Sequence, residues 1–242
     1  MSGSSNPVEE EGRGHPAGPR MTSSQTTPIR FRLTFRKMDG IRFTGTLDLQ
    51  RSLERTIRRA RLPLAYTQGF NPRPRLSLGA ALPLGLTSDC ELADLWLEED
   101  RDHGGILEDL RLASPPGLEF LDLTVVPDDE PSLQQQIVAA EYLAEIEPGL
   151  DLTEAKDRVG SLLKLKTVLR ERRGKPYDLR PLVEALEIVS SVSTRTVLHM
   201  RLTAREGATG RPDEVLLALG LDPPDARLHR SRLILSTIKV PG

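Results

Sequence analysis

The sequence predicts an α+β fold of two tandem ferredoxin-like halves, each a β-α-β-β-α-β unit with an antiparallel sheet. Three observations predict it. Short runs alternate apolar with polar residues between Gly and Pro, helical stripes fall between those runs, and the plan occurs twice along the chain. With 242 residues, 38% of them hydrophobic, the chain has enough apolar material for two ordinary cores.

Residues 1–27 are rich in Ser, Gly, Pro and charge and lack any apolar period. They are expected to form a disordered tail, since they cannot bury enough surface to offset chain entropy. The first half spans 28–131. In Ile29–Arg36, Ile29, Phe31, Leu33 and Phe35 alternate with Arg30, Arg32, Thr34 and Arg36, a strand with one apolar and one basic face. A helix is expected from Leu47 to Arg61. Leu49, Leu53, Ile57, Ala60 and Leu64 share one side of it, Arg51, Arg55, Arg58 and Arg59 the other, and Pro63 ends it. Strands at Arg75–Leu82 and Glu91–Glu98, a helix at Ile106–Leu112 and a strand at Leu118–Val126 complete the unit.

The second half, 132–242, repeats the plan. Val138, Ala140, Tyr142, Ala144 and Ile146 line one face of a strand, and Ala155, Val159, Leu162 and Leu163 form a helical stripe. Lys164–Arg172 alternates as an extended segment with Lys164, Lys166, Arg170 and Arg172 on one face. Extended runs follow at Val183–Ser190 and Thr194–Ala204. Pro212, then Asp213 and Glu214, open a helix that Gly220 closes, and a strand runs from Arg227 to Ser236.

The net charge of −2 conceals opposed blocks. Pro28–Ser77 holds 12 basic against 3 acidic residues, Ser88–Pro131 holds 2 against 14, and Lys156–Arg180 holds 9 against 3. Such runs are either solvated faces or a surface for a polyanion such as RNA. The candidate polyanion contacts are Arg30, Arg32 and Arg36 on an open sheet face, Arg51, Arg55, Arg58 and Arg59 on the helix, and Lys164, Lys166, Arg170 and Arg172. Arg75 is expected to join the first group. The alternative is pairing with the acidic middle segment, whose stretch Glu91–Glu130 is also a candidate docking surface.

The chemistry available is limited. One cysteine, Cys90, supports neither a disulfide framework nor the three-cysteine site of a radical SAM iron–sulfur cluster. Phosphate-loop, dinucleotide-binding and H-E-x-x-H motifs are missing, and the four histidines lack metal-ligand spacing. No metal or cofactor is expected. Without an apolar run of membrane-spanning length or a signal-peptide core, the chain is expected to be cytoplasmic. Aromatic residues make up only 4%, which argues against RRM-style base reading.

The candidate substrate-binding site is the loop between the first helix and the following strand. Tyr66, Gln68, Asn71, Arg73 and Arg75 are polar groups suited to a phosphate or a base edge, on a backbone stiffened by Pro72 and Pro74. Asp48, in the first turn of the helix, is expected beside it.

Thr46–Leu97 carries Leu-Asp-Leu, Arg-Arg-Ala, Leu-Pro, Gln-Gly-Phe-Asn-Pro and Leu-Pro-Leu-Gly in series; Lys175–Val183 and His229–Leu233 add later elements. In these the chain resembles the bacterial radical SAM-linked protein family. Gly45-Thr46 and Pro72-Arg73-Pro74 stand where that family has Ser-His and Pro-His-Pro, so the resemblance implies no histidine chemistry here. It implies a non-catalytic accessory protein with a radical SAM protein as partner, and the charge layout adds RNA or a nucleotide-bearing substrate. The competing expectation is an independent RNA-binding or RNA-modifying protein. A small-molecule enzyme using Asp48 and the loop is a third.

Overall fold

Alternation in Ile29–Lys37 produces strand β1, whose Phe31, Leu33 and Phe35 are fully buried. The computed structural model that shows this describes residues 27–99, 101–172 and 174–236. The expected tail lies outside the described residues apart from Thr27. Helix α1 (Thr46–Arg59) follows, then β2 (Leu76–Leu78), β3 (Thr87–Leu97), α2 (His103–Ala113) and β4 (Leu118–Val125). After α3 (Leu133–Gln136) the second half runs β5 (Ile137–Ile146), α4 (Leu152–Lys164), β6 (Leu169–Arg172), β7 (Lys175–Asp178), β8 (Val183–Val192), β9 (Arg195–Arg205), β10 (Ala208–Thr209), α5 (Pro212–Ala218) and β11 (Ala226–Leu235).

The fold is α+β with one large, mostly antiparallel sheet. Nine strands join it, in the order β10-β9-β5-β11-β3-β1-β4, with β2 also on β3 and β8 on β9; β6 and β7 form a separate hairpin. Strands of the first half lie β4-β1-β3-β2 and those of the second β11-β5-β9-β8, antiparallel within each set. The expected pair of separate sheets is corrected here. β11 pairs parallel with β3 through His229↔Thr87 and Arg230↔Ser88 and fuses the halves into one surface.

Two cores remain distinct on that surface. The first gathers Phe31, Leu33 and Phe35 with Leu49, Leu53 and Ile57 of α1 and Ile106 and Leu110 of α2. Each such side chain contributes about 1.5–3 kcal/mol by leaving water. The second packs Tyr142, Val159, Leu162, Met200, Leu202, Val215 and Leu216, and recruits Leu82 and Leu86 from the first half. Asp102 caps α2 by accepting from Gly105 N at 2.7 Å, and Asp151 caps α4 by accepting from Thr153 N and Glu154 N.

The basic face of β1 is not an open floor. Arg30 and Arg32 both bind the buried carboxylate of Asp94, with Arg30 Nε at 3.0 Å and Arg32 Nε at 2.9 Å. The 126–136 segment crosses behind them, and the carbonyls of Glu130 and Pro131 accept from Arg30 while Gln136 accepts from Arg32. Arg36 pairs with Asp89 and Glu119. The acidic block neutralises the basic one inside the fold, so Arg30 and Arg32 are structural and not polyanion contacts. For the same reason Glu91 and Asp94 are buried rather than presented on a docking surface. Lys164 also departs from its expected strand: it is the last residue of α4, and only Leu169–Arg172 is extended. Leu162 is buried on the stripe that carries α4 through to that point.

Among the described residues no helix is long and apolar enough to cross a membrane.

Candidate functional site

Where the two cores meet, the sheet carries charge on its inward face. Glu91 continues the inward alternation of Ala93 and Leu95, and its partner on β1 is Phe35. Lys37 lies inward beyond Phe35, and Arg230 lies inward beyond Leu228 on β11. All three are buried, Arg230 with 1% of its surface exposed. Arg230 grips Glu91 through Nε to Oε1 at 2.9 Å and Nη2 to both oxygens at 2.6 Å. Its Nη2 also donates to the carbonyl of Ala80 at 3.1 Å, and Nη1 donates to that of Ala81 at 3.4 Å. Lys37 Nζ donates to the carbonyls of Arg42 and Leu86.

Burial governs the protonation of these groups. It acts against the charge on Arg230, yet Glu91, with Tyr142, holds the guanidinium above its usual pKa. Burial lowers Lys37, partly offset by Glu91. It raises the Tyr142 hydroxyl, partly offset by Arg230. Cys90, beside this network, is pushed up to about 11, chiefly by burial, and behaves as a small inert side chain.

Two members of this network, Arg230 and Tyr142, line a cavity of about 510 Å³; Glu91 and Lys37 lie behind them. Gly45 and Thr46 reach it from the start of α1, Gly79–Leu84 from the segment after β2, Tyr142 from β5 and Arg230 from β11. The lining also includes Arg172 at the end of β6, Arg205 and Glu206 at the β9–β10 turn, Thr209, and Arg211 before α5. The cavity therefore draws on both halves. Ala80, Ala81, Leu82, Pro83 and Leu84 make one side apolar. Arg211 is committed to Asp213, whereas Arg172 and Arg205 are exposed and have no ion-pair partner among the described residues. The segment is held close by Gln134, whose Nε2 donates to Ser77 Oγ and the Leu78 carbonyl. A Cβ at Gly79 would meet Ile137 Cδ1 at 2.8 Å and Leu133 Cδ2 at 3.1 Å, so a larger residue there would have to push these side chains aside. A flat body with an anionic end matches such a lining: apolar wall and Tyr142 for the body, exposed guanidiniums for the anion.

Of the residues expected from sequence, only Arg172 reaches this cavity. Arg51, Arg55, Arg58 and Arg59 lie exposed along α1, Arg51 paired with Asp48 at 3.2 Å. Lys166 is exposed, and Arg170 is paired with Glu214 at 2.7 Å. Tyr66, Gln68, Asn71 and Arg73 form an exposed hairpin closed by the Tyr66↔Pro74 bridge. Arg75 is stacked on Trp96 at 4.6 Å. Asp48 is not beside that loop in any bonded sense: no hydrogen bond or ion pair joins the two among the described residues, because the carboxylate turns back along its own helix to Arg51. The site residues missed in sequence, Lys37, Glu91, Tyr142 and Arg230, did leave a signal. Three of them are charges at inward positions of strands whose other inward residues are apolar.

His229 is held by Thr87 at 2.9 Å and Asp89 at 3.2 Å, and His103 packs edge-on against Phe31. No group of three or more His, Cys, Asp or Glu that could hold a metal occurs among the described residues.

In fold, the chain is similar to a chain of a Cbf5-Nop10-Gar1 complex (12% identity, TM-score 0.42, covering 83% of this chain and 48% of that one). It is similar also to a chain of an H/ACA RNP bound to a substrate RNA containing 2'-deoxyuridine (12%, TM-score 0.40, 83% and 47%). An unknown protein from Galdieria sulphuraria matches at 12% identity and TM-score 0.26, over 87% of this chain and all of that one. The chain spans about half the length of the first two, and likeness at this level supports no functional argument. No curated protein matches. Residues 30–212 match the family described as "Uncharacterized protein conserved in bacteria (DUF2344)", and the chain belongs to that family.

Proposed function

We propose that the protein is a non-catalytic binding component that holds RNA, or a nucleotide-bearing substrate, in the cavity between its halves on behalf of a radical SAM enzyme. Each half is read as a ferredoxin-like unit, and duplication of that unit creates the cavity at the junction. The observation that carries the proposal is the lining itself: apolar residues and Tyr142 share a cavity of about 510 Å³ with Arg172 and Arg205, which have no ion-pair partner among the described residues. That volume lies within the range of small-molecule and cofactor sites. The enzyme partner rests on the sequence resemblance, and a lone cysteine leaves the cluster chemistry to that partner.

The test is titration of labelled single-stranded RNA and of a mononucleotide into the wild type and the Arg172→Ala/Arg205→Ala variant. Loss of two phosphate contacts is expected to weaken RNA binding at least tenfold and to flatten the log–log salt slope by about 1.4, at ~0.7 per single-strand contact. Equal binding by the variant, or no binding by the wild type at low salt, overturns the proposal. The partner is tested by co-expression with a radical SAM protein from the same genome and size exclusion; two separate peaks count against it.

A further inference from the structure

We infer that Phe70, at the tip of the Tyr66–Pro74 hairpin, is a stacking platform for an unpaired RNA base, with Arg73 beside it for the adjoining phosphate. The inference rests on the nucleic-acid reading above and names a second point of contact outside the cavity. Phe70 is fully exposed, at 107% of its reference surface. A lone exposed apolar residue is ordinary; one held out on a braced loop is less so.

The bracing is specific. Thr67 N donates to the Arg73 carbonyl at 2.8 Å, Arg73 N donates to Thr67 Oγ1 at 3.0 Å, and Arg75 N donates to the Ala65 carbonyl at 2.8 Å. Gly69 turns the chain at φ +130°, a conformation side chains rarely adopt. Behind the hairpin, Trp96 is flanked by the guanidiniums of Arg75 at 4.6 Å and Arg30 at 5.6 Å, and Arg30 is fixed by Asp94. The base of the hairpin is therefore fixed, which leaves only the short tip to order on binding.

Its chemistry favours nucleic acid over protein. Gln68 and Asn71, both exposed, flank the ring with amides that can meet base edges, and Arg73 supplies a cation. The chain from Leu62 to Ser88 contains no acidic residue to repel a phosphate. Strand β2, about 10 Å long at ~3.3 Å per residue, joins the hairpin along the chain to Gly79 in the cavity lining.

The experiment compares Phe70→Ala, Phe70→Trp and Arg73→Ala with the wild type, using a short labelled single-stranded RNA and a free mononucleotide. Phe70→Ala is expected to weaken RNA binding about 5- to 150-fold, the range of one lost stack, with the salt slope and melting temperature unchanged. Phe70→Trp retains binding, and Arg73→Ala weakens it with a flatter slope. Mononucleotide binding stays as in the wild type in all three, since the cavity is untouched. RNA binding unaltered by Phe70→Ala, while Arg172→Ala/Arg205→Ala still weakens it, overturns the stacking role alone. Loss of a bound protein partner without loss of RNA would reassign the tip to a protein interface. A wild type that binds no RNA removes both readings.

Discussion

Replacing Arg230 by Met removes the cation from a carboxylate that has 2% of its surface exposed. Glu91 then loses three short contacts, and Ala80 and Ala81 lose the donors to their carbonyls. Lys37 is close enough to feel Glu91, but its own donors are spent on the carbonyls of Arg42 and Leu86. An uncompensated buried charge of this kind costs about 3–5 kcal/mol. For a protein of this size that is a melting-temperature drop of about 6–20 °C, at ~2–4 °C per kcal/mol. Equilibrium chemical denaturation of the wild type, Arg230→Met, Glu91→Leu and the double variant gives the coupling directly. The double variant is expected to be more stable than Arg230→Met, because the orphaned carboxylate is gone, while Lys37 keeps its two carbonyl acceptors. A cost below about 1 kcal/mol for Arg230→Met, or additive single costs, would refute the idea that the pair is one buried unit.

Two other outcomes follow from the same geometry. Cys90, its thiol pushed up to about 11 chiefly by burial, is expected to react with iodoacetamide at pH 7.5 about a hundredfold more slowly than a free cysteine, since the thiolate fraction falls about tenfold per unit. The rate should climb without levelling up to about pH 10 and recover in denaturant; fast reaction in native protein contradicts the burial. The joint replacement of Arg51, Arg55 and Arg58 by Ala is expected to leave stability within about 0.5 kcal/mol, because these side chains are exposed. If the α1 face also contacts RNA, the salt slope flattens further than with the cavity arginines alone; an unchanged slope assigns the face to solvent.

Local patterns showed most of the elements and little of how they assemble. The alternation of Phe31, Leu33 and Phe35 and the stripe of Leu49, Leu53 and Ile57 determine which faces turn inward, and these six residues share one core. Pairing between β11 and β3 was beyond such reasoning, because two residue pairs between strands 130 or more positions apart leave no local trace. The charge blocks were visible, but their counts could not tell a solvated face from an internal pair. Arg30 and Arg32 lie on the polar side of β1, and only the crossing of the 126–136 segment makes that side an interior. The cavity was illegible for a related reason: its lining comes from segments scattered between Gly45 and Arg230, and only Arg172 among them was a candidate contact in sequence.

The ionic network and the cavity belong to one argument. Taking Glu91, Lys37 and Arg230 out of water is costly, and an apolar trio of similar volume would often be as stable or more so. Stability alone therefore does not account for charge at this junction. What an apolar trio would not reproduce is the hold of Arg230 on the carbonyls of Ala80 and Ala81, which sets the segment that forms the apolar cavity wall. The Glu91→Leu/Arg230→Met variant separates these roles. With the charges gone together, folding stability is expected to stay within reach of the wild type, while affinity for a mononucleotide falls because the wall is no longer positioned. Recovery of both stability and affinity would show that the network fills space and nothing more.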